Sequence, residues 1–145
     1  MIDKDTFTVI DTFHGSKGLV YVGDDILVFR RDNKTTHFPL MIDLPGGGRE
    51  VGESPFDTFK RETFEEFGLI IEKEDVIYSK RYMSIMNKDM HAFFIVVKNK
   101  NLKKEDIIFG DEGLEYMLMK GEEFVALHDA VSRQQERVKE FLEYR

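Results

Sequence analysis

Three glutamates, Glu62, Glu65 and Glu66, occupy positions i, i+3 and i+4 of one sequence segment. On a helix these positions share a face, so the carboxylates gather on one arc and destabilise an isolated helix by roughly a few tenths of a kcal/mol per pair. Something outside the helix should compensate. One possibility is water and salt around a solvated face. The other is a hard divalent cation such as Mg²⁺, which takes oxygen ligands and is held by one or two carboxylates together with substrate phosphates.

A glycine-rich turn, Gly46–Gly48, precedes these glutamates and favours the metal interpretation. Without Cβ atoms, the backbone of such a turn can approach a ligand closely. Arg61 adjoins Glu62 and could neutralise Glu53, which lies across the N-terminal turn of the helix. A glycine turn or a glutamate cluster alone is a weak signal, but their combination at a fixed spacing is specific.

The turn and the helix form one continuous pattern, Gly47-x5-Glu53-x7-Arg61-Glu62-Thr63-x-Glu65-Glu66-x-Gly68-Leu69. It resembles the Nudix box, G-x5-E-x7-R-E-U-x-E-E-x-G-U, where U is a bulky aliphatic residue, and every fixed residue matches. The preceding Leu44-Pro45-Gly46-Gly47 also resembles the sequence that leads into the box in this family. One position departs from the pattern, because Thr63 stands where an aliphatic residue is expected. Since Thr63 should face the core, its presence bears on packing rather than on chemistry.

The resemblance implies the Nudix α/β/α sandwich, an α/β fold with a mixed sheet between helices. We expect a single domain over residues 1–145. The implied activity is hydrolysis of a nucleoside diphosphate linked to another group, with a small nucleotide as substrate and Mg²⁺ or Mn²⁺ as cofactor. The cation would neutralise the bridging phosphates and acidify the water that attacks phosphorus in line.

The family's functional residues can be carried over by position. The metal-binding carboxylates would be Glu62, Glu65 and Glu66, and the carbonyl of Gly47 could add a ligand. Arg61 and Glu53 would form the pair that orients the loop. For Glu53 the alternative is a carboxylate favoured simply by the positive end of the helix dipole.

A further carboxylate from a loop outside the box often serves family members as base or extra ligand. Glu112 is the candidate here, with Glu115 behind it. The alternative is an ordinary acidic turn, since Asp and Gly are standard turn residues.

The helix that carries the glutamates has both ends specified by local chemistry. Ser54 takes the N-cap position, Pro55 the first helical position and Asp57 the third, which makes an acidic capping box. Gly68 takes the C′ position. Four residues share the face that should anchor the helix to a sheet: Phe56, Phe59, Thr63 and Phe67.

Runs rich in β-branched and aromatic residues predict the surrounding strands. These runs are 6–13, 18–22, 26–31, 40–44, 76–86, 90–98 and 114–119. Turns at 23–25 and 87–89 predict hairpins. An apolar stripe predicts a C-terminal helix from Ala130, Val131, Val138, Phe141 and Leu142. Mixed strands with two helices indicate a layered α/β or α+β domain.

The chain has 145 residues, a formal net charge of −7 and no cysteine. Its length fits one domain, and the lack of cysteine excludes disulfides and thiolate metal sites. Its acidity disfavours an extended nucleic-acid surface, yet carboxylates that gather a divalent metal suit a small anionic nucleotide. The N-terminus lacks a secretory signal, and no apolar run is long enough for a membrane span. We therefore expect a cytoplasmic protein without a membrane partner, either a monomer or a homodimer.

Other chemistries find less support in the sequence. Four scattered histidines lack zinc-site spacing, and neither a G-x-S-x-G nucleophile motif nor a P-loop is present. Phe38, Tyr82 and Phe93 could stack a base, although core packing is the stronger expectation for aromatic residues in strands.

The substrate is the least determined feature. Ile85 stands where members specific for ADP-ribose tend to carry a proline, and Tyr82 lies too near the box for the tyrosine of dinucleoside polyphosphate types. Elimination favours a nucleoside triphosphate, with ADP-ribose, nucleotide sugars and dinucleoside polyphosphates as alternatives. A non-catalytic nucleotide-binding module is a further alternative, although the box carboxylates are all present.

Overall fold

The computed structural model describes residues 1–84 and 89–145, built around a seven-stranded mixed sheet. The strands are β1 (Phe13–Val22), β2 (Asp25–Arg31), β3 (Ile42–Asp43), β4 (Gly46–Gly48), β5 (Val76–Met83), β6 (His91–Lys98) and β7 (Gly113–Met119). Strands β1 and β6 are parallel, and the other neighbours are antiparallel.

The sheet splits between β1 and β2, and this split creates the space for a site. The two strands pair only beside their turn, at Tyr21–Ile26 and Val22–Asp25. Farther along, β4 pairs with β1 and the short β3 pairs with β2. The middle of the sheet therefore opens, and the glycine-rich β4 forms one side of the opening.

In the described part of the chain, three α-helices cover the sheet: α1 (Pro55–Phe67), α2 (Gly121–Ala126) and α3 (Ser132–Tyr144). On one face, Phe59 and Phe67 of α1 pack into a core with Val20 and Phe93. On the other face, Val138 and Phe141 of α3 join Phe124 of α2 in a second core. The predicted α/β/α sandwich with a mixed sheet between helices is confirmed.

Helix α1 begins and ends where the sequence predicts. Ser54 Oγ accepts a hydrogen bond from the Asp57 backbone N–H at 3.0 Å, and the Asp57 carboxylate accepts one from the Ser54 N–H at 3.0 Å. Gly68 follows with φ of 68°, and its N–H donates to the Phe64 carbonyl. The four residues predicted to face the sheet, Phe56, Phe59, Thr63 and Phe67, are all buried.

The predicted first strand, 6–13, is wrong except for its last residue. Thr6 donates its hydroxyl to the Asp3 carbonyl at 2.7 Å and also bonds the Ser79 hydroxyl at 2.6 Å. These side-chain bonds hold a turn that competes with extended structure, so β1 begins only at Phe13.

The other strand predictions hold with changed bounds: the strands predicted at 18–22, 26–31 and 114–119 are longer, and the rest are shorter. The short helix α2 was not predicted, and the predicted turn Gly46–Gly48 forms strand β4. The strand predicted at 40–44 is reduced to β3. The strand predicted at 76–86 ends at Met83, and its last two positions and most of the turn 87–89 lie outside the described residues. The two strands flanking that turn are antiparallel, as a hairpin requires. No helix in the described part of the chain is long and apolar enough to cross a membrane.

Thr63, the departure from the aliphatic position of the box, has a measurable consequence for stability. It is fully buried, and its Oγ1 has no hydrogen-bond partner within the described ranges of the chain. We predict that Thr63→Val raises the unfolding free energy by about 1 kcal/mol, because the variant removes an unsatisfied buried hydroxyl. Urea denaturation measures the change.

Thr58 is the matched control on the same helix. It is equally buried, but its hydroxyl donates to Glu53 Oε1 at 2.9 Å. Thr58→Val should therefore lower the unfolding free energy. A destabilised Thr63→Val would contradict this account of the packing.

Candidate active site

A cluster of three carboxylates lies beside the opening in the sheet. Glu62, Glu66 and Glu112 each offer an oxygen, and these oxygens lie within 4.8 Å of one another. Glu66 is buried, Glu62 is partly buried and Glu112 is exposed. Oxygen ligands of this kind suit a hard divalent cation. The structure thus brings two of the predicted box glutamates together with the predicted loop glutamate.

Glu112 reaches the cluster because its loop docks on the end of α1. The Ile108 N–H donates to the Phe67 carbonyl at 2.8 Å, and the Gly110 N–H donates to the Glu66 carbonyl at 2.8 Å. These bonds satisfy carbonyls that a helix C-terminus leaves free. The loop therefore places Glu112 next to the box carboxylates, although it follows them by more than forty residues. Glu115 lies outside the cluster and forms an ion pair with Arg30 at 3.6 Å.

Burial and like charge make the cluster unfavourable without a cation. The pKa of Glu66 is raised to about 8, chiefly by burial and also by Glu62 and Glu112, against the opposing effects of Lys17 and the Gly46 N–H. The Gly46 N–H donates to Glu66 Oε1 at 3.1 Å. Burial also raises the pKa of Glu62, despite its contact with Arg61. A divalent cation would fit these three carboxylates, because its positive charge would offset their mutual repulsion.

The glycine turn touches the cluster directly. A Cβ atom on Gly47 would lie 2.5 Å from Glu62 Cδ, so only glycine leaves room for this carboxylate. Gly46 has φ of 132°, a conformation that side-chain-bearing residues rarely adopt. The backbone of β4 is thus fitted against the glutamates of α1.

Arg61 ties the glycine turn to the helix. Its Nε donates to Glu53 Oε2 at 2.8 Å and one terminal nitrogen donates to the Gly48 carbonyl at 2.8 Å. The other terminal nitrogen donates to Glu62 Oε1 at 2.9 Å and contacts Glu65 at 3.3 Å. The hydrogen bonds that Arg61 donates to Glu53 and Glu62 raise its pKa above the ordinary value.

Glu53 and Glu65 thus occupy different surroundings from the cluster. Glu53 also accepts from the Glu50 N–H at 2.8 Å, which closes the turn before the helix. Its pKa is lowered, since the bonds from Arg61, Glu50 and Thr58 outweigh partial burial. Glu65 is exposed and lies outside the three-carboxylate cluster.

A cavity of about 680 Å³ extends from the carboxylates across the opening in the sheet. Its size lies within the range typical of small-molecule sites. Among the aromatic residues that could stack a base, Phe38 and Phe93 line it. Phe93 is fully buried, as predicted for a core residue. Tyr82 instead donates its hydroxyl to Glu140 Oε1 at 2.6 Å.

Several residues that line the cavity were missed by the sequence reasoning. Asp43 is buried and pairs with Lys17 at 3.0 Å and Arg31 at 2.9 Å. Helix α3 contributes Arg133, Gln134 and Arg137. The sequence held a signal for the last two, because Gln134 and Arg137 stand at the helical spacing of the apolar stripe that predicts α3. The structure shows that both are buried.

Comparison with known proteins gives the family. A model of the NUDIX domain matches residues 13–143, while no curated protein matches the chain in sequence. Solved structures share the fold. The MutT protein from Methanosarcina mazei Go1 has a TM-score of 0.71 at 19% identity and covers 90% of this chain and 92% of that one. A NUDIX hydrolase from Nitrosomonas europaea has a TM-score of 0.72 at 20% identity, covering 99% and 78%.

A third similar structure includes a bound nucleotide. It is a bifunctional NMN adenylyltransferase/ADP ribose pyrophosphatase from Francisella tularensis, complexed with AMP and Mn ion. Its TM-score is 0.69 at 18% identity, over 92% of this chain and 42% of that one. With the family model matched over nearly the whole chain, the protein belongs to the Nudix hydrolase family.

Proposed function

We propose that the single domain of residues 1–145 hydrolyses a phosphoric anhydride bond in a nucleoside diphosphate linked to another group. The observation that carries the proposal is the convergence of Glu62, Glu66 and Glu112 at one end of a nucleotide-sized cavity. A solvated glutamate face, the alternative for the box residues, does not account for a buried Glu66 or for a loop docked to add a third carboxylate.

The cofactor in this proposal is a divalent cation, Mg²⁺ or Mn²⁺. The residues fit such an ion, because their oxygens converge and Glu66 carries an elevated pKa that a nearby cation would lower. The proposed ligands are the carboxylates of Glu62, Glu65 and Glu66 and the carbonyl of Gly47. Glu65 lies outside the three-carboxylate cluster, and Glu112 within the cluster is the proposed base. When bound, the ion supplies charge neutralisation for phosphate oxygens and acidifies water.

The chain's own residues do the positioning and the proton transfer. Arg61, fixed by Glu53, holds the Gly48 carbonyl and the Glu62 carboxylate in one arrangement, so the turn and the helix keep their register. Such preorganisation supplies much of the rate in phosphoryl transfer. Glu112 is exposed at the cavity and is proposed as the general base that accepts a proton from the attacking water.

A nucleoside triphosphate is the proposed first substrate to test. Tyr82, the residue considered for dinucleoside polyphosphates, has its hydroxyl engaged by Glu140, and Ile85 lies outside the described residues. A nucleotide panel with Mg²⁺ or Mn²⁺, read out as phosphate after a phosphatase step, tests the proposal. Turnover that is lost in Glu66→Gln supports it. Absence of turnover throughout the panel, or full turnover in both Glu65→Gln and Glu66→Gln, contradicts it.

The close contact between Gly47 and Glu62 gives a specific prediction. Gly47→Ala should still fold, because the Glu62 side chain can rotate away from the added methyl group. The displaced carboxylate should lower kcat/KM by about 100-fold, the usual consequence of roughly 1 Å of misplacement. Steady-state kinetics on the best substrate of the panel measure the loss.

Gly48→Ala is the neighbouring control, since its Cβ atom would meet only the His14 carbonyl, at 3.8 Å. This variant should keep kcat/KM within about threefold of wild type. Equal losses in the two variants would show that the turn, rather than the Glu62 carboxylate, is disturbed.

The proposed role of Glu112 gives a second prediction. Glu112→Gln keeps the size of the side chain but removes its basicity, so kcat should fall by about 10²- to 10⁴-fold. Asp111→Asn removes a charge from the adjacent exposed position and should leave kcat near the wild-type value. Unchanged turnover in Glu112→Gln would exclude this residue as base and ligand.

A further inference from the structure

The wall of the cavity formed by helix α3 is cationic, and the box chemistry does not use it. Arg137 is only 8% exposed. Its guanidinium lies 4.6 Å from the centroid of the Tyr82 ring, and among residues 1–84 and 89–145 no carboxylate forms an ion pair with it. A guanidinium buried in this way is costly unless an anion accompanies it.

Two neighbours of Arg137 on the same wall also carry a polar group without a partner in the part of the chain that the structure describes. Arg133 lies over the Phe38 ring at 5.1 Å and forms no ion pair within the described ranges. Gln134 is 3% exposed, and its Oε1 has no hydrogen-bond partner among residues 1–84 and 89–145. Both line the cavity together with Arg137. Two guanidinium groups and one unsatisfied amide therefore face the same space.

The cations of this wall differ from two other cations that line the cavity in having no carboxylate partner among the described residues. Lys17 and Arg31 share the carboxylate of Asp43, which pairs with both. By contrast, the pKa of His14 is lowered by burial and then by the charges of Arg133 and Arg137. Positive potential thus persists at the α3 side, whereas negative charge persists at the carboxylate cluster on the α1 side.

A phosphate group supplies the negative charge that the two guanidinium groups of this wall lack. Planar guanidinium groups bind phosphate oxygens through paired, charge-assisted hydrogen bonds. A neutral base edge would satisfy Gln134 but would leave the charges of Arg133 and Arg137 uncompensated. The opposite charges on the α1 and α3 sides of one cavity suit a ligand that carries more than one phosphate group.

We propose that Arg137, with Arg133, forms a second phosphate-binding subsite on the α3 side of the cavity, separate from Glu62, Glu66 and Glu112 on the α1 side. This inference rests on the proposed function for the position of the scissile anhydride at the carboxylates. The phosphate bound by α3 is either the terminal phosphate of a nucleoside triphosphate or a phosphate ester on a ribose of the substrate. In both cases Arg137 selects substrates by an additional negative charge.

A binding experiment without metal or nucleotide tests the subsite alone. Thermal unfolding is followed in increasing inorganic phosphate, with chloride at matched ionic strength as the reference. Wild-type protein should be stabilised by phosphate, since a ligand that binds only the folded state raises the melting temperature. Arg137→Met should lose this shift, and Lys139→Met, which removes an exposed charge from the same helix, should retain it. Equal shifts in all three proteins would overturn the proposal.

A kinetic experiment distinguishes the two sources of phosphate. Two substrate pairs each differ by one phosphate group, ATP against ADP and NADP⁺ against NAD⁺. In one pair the wild-type ratio of kcat/KM should favour the additional phosphate by about 10- to 100-fold, the range for a charge-assisted contact. Arg137→Met should reduce that ratio to near unity, and Lys139→Met should not.

The outcomes separate this inference from the proposed function. Collapse of the ATP/ADP ratio assigns the subsite to the terminal phosphate, and collapse of the NADP⁺/NAD⁺ ratio assigns it to a ribose phosphate. If neither ratio changes, or if Arg137→Met alters only the preference between GTP and ATP, the subsite is refuted. If no nucleotide is hydrolysed while phosphate stabilises wild type and not Arg137→Met, the proposed function fails and the subsite stands.

Discussion

Carboxylates repel one another, and this protein gathers those of Glu62, Glu66 and Glu112 within 4.8 Å around a buried position. That arrangement raises the pKa of Glu66 to about 8. A raised carboxyl pKa contributes stability that is present below about pH 4.5 and is lost as the pH rises toward 8. The metal-free fold therefore gives up stability at neutral pH to keep these groups together, and a cation would relieve the cost.

The rest of the architecture maintains this crowded arrangement. Helix α1 is held at its start by the Ser54–Asp57 capping box and along one side by buried aromatic residues. Arg61 connects the helix to the glycine turn, and the loop docked on the end of α1 delivers Glu112. The split between β1 and β2 then leaves a cavity beside the carboxylates. Together these contacts hold the carboxylates in place, and the cavity extends from the acidic α1 side to the cationic α3 side.

Features set by short-range chemistry were predictable from the sequence. The ends of α1 follow from Ser54, Pro55 and Gly68, and its buried face follows from the spacing of its aromatic residues. The convergence of Glu112 with the box was a hypothesis from family resemblance, because the docking bonds of its loop are long-range. The strand expected at 6–13 failed because Thr6 bonds Asp3 and Ser79 instead. The α3 wall was missed because buried polar residues within an apolar stripe carry no motif.

The most direct test of the central claim is the number of protons released when Mn²⁺ binds. Calorimetric titrations at about pH 7 in buffers of different ionisation enthalpy give this number, since metal binding deprotonates its ligands. Because Glu66 is largely protonated at this pH in the metal-free protein, the account predicts release of nearly one proton per bound ion, falling toward zero at about pH 9. Binding without proton release, or no binding of Mn²⁺, would contradict the claim that this buried carboxylate cluster is a metal site.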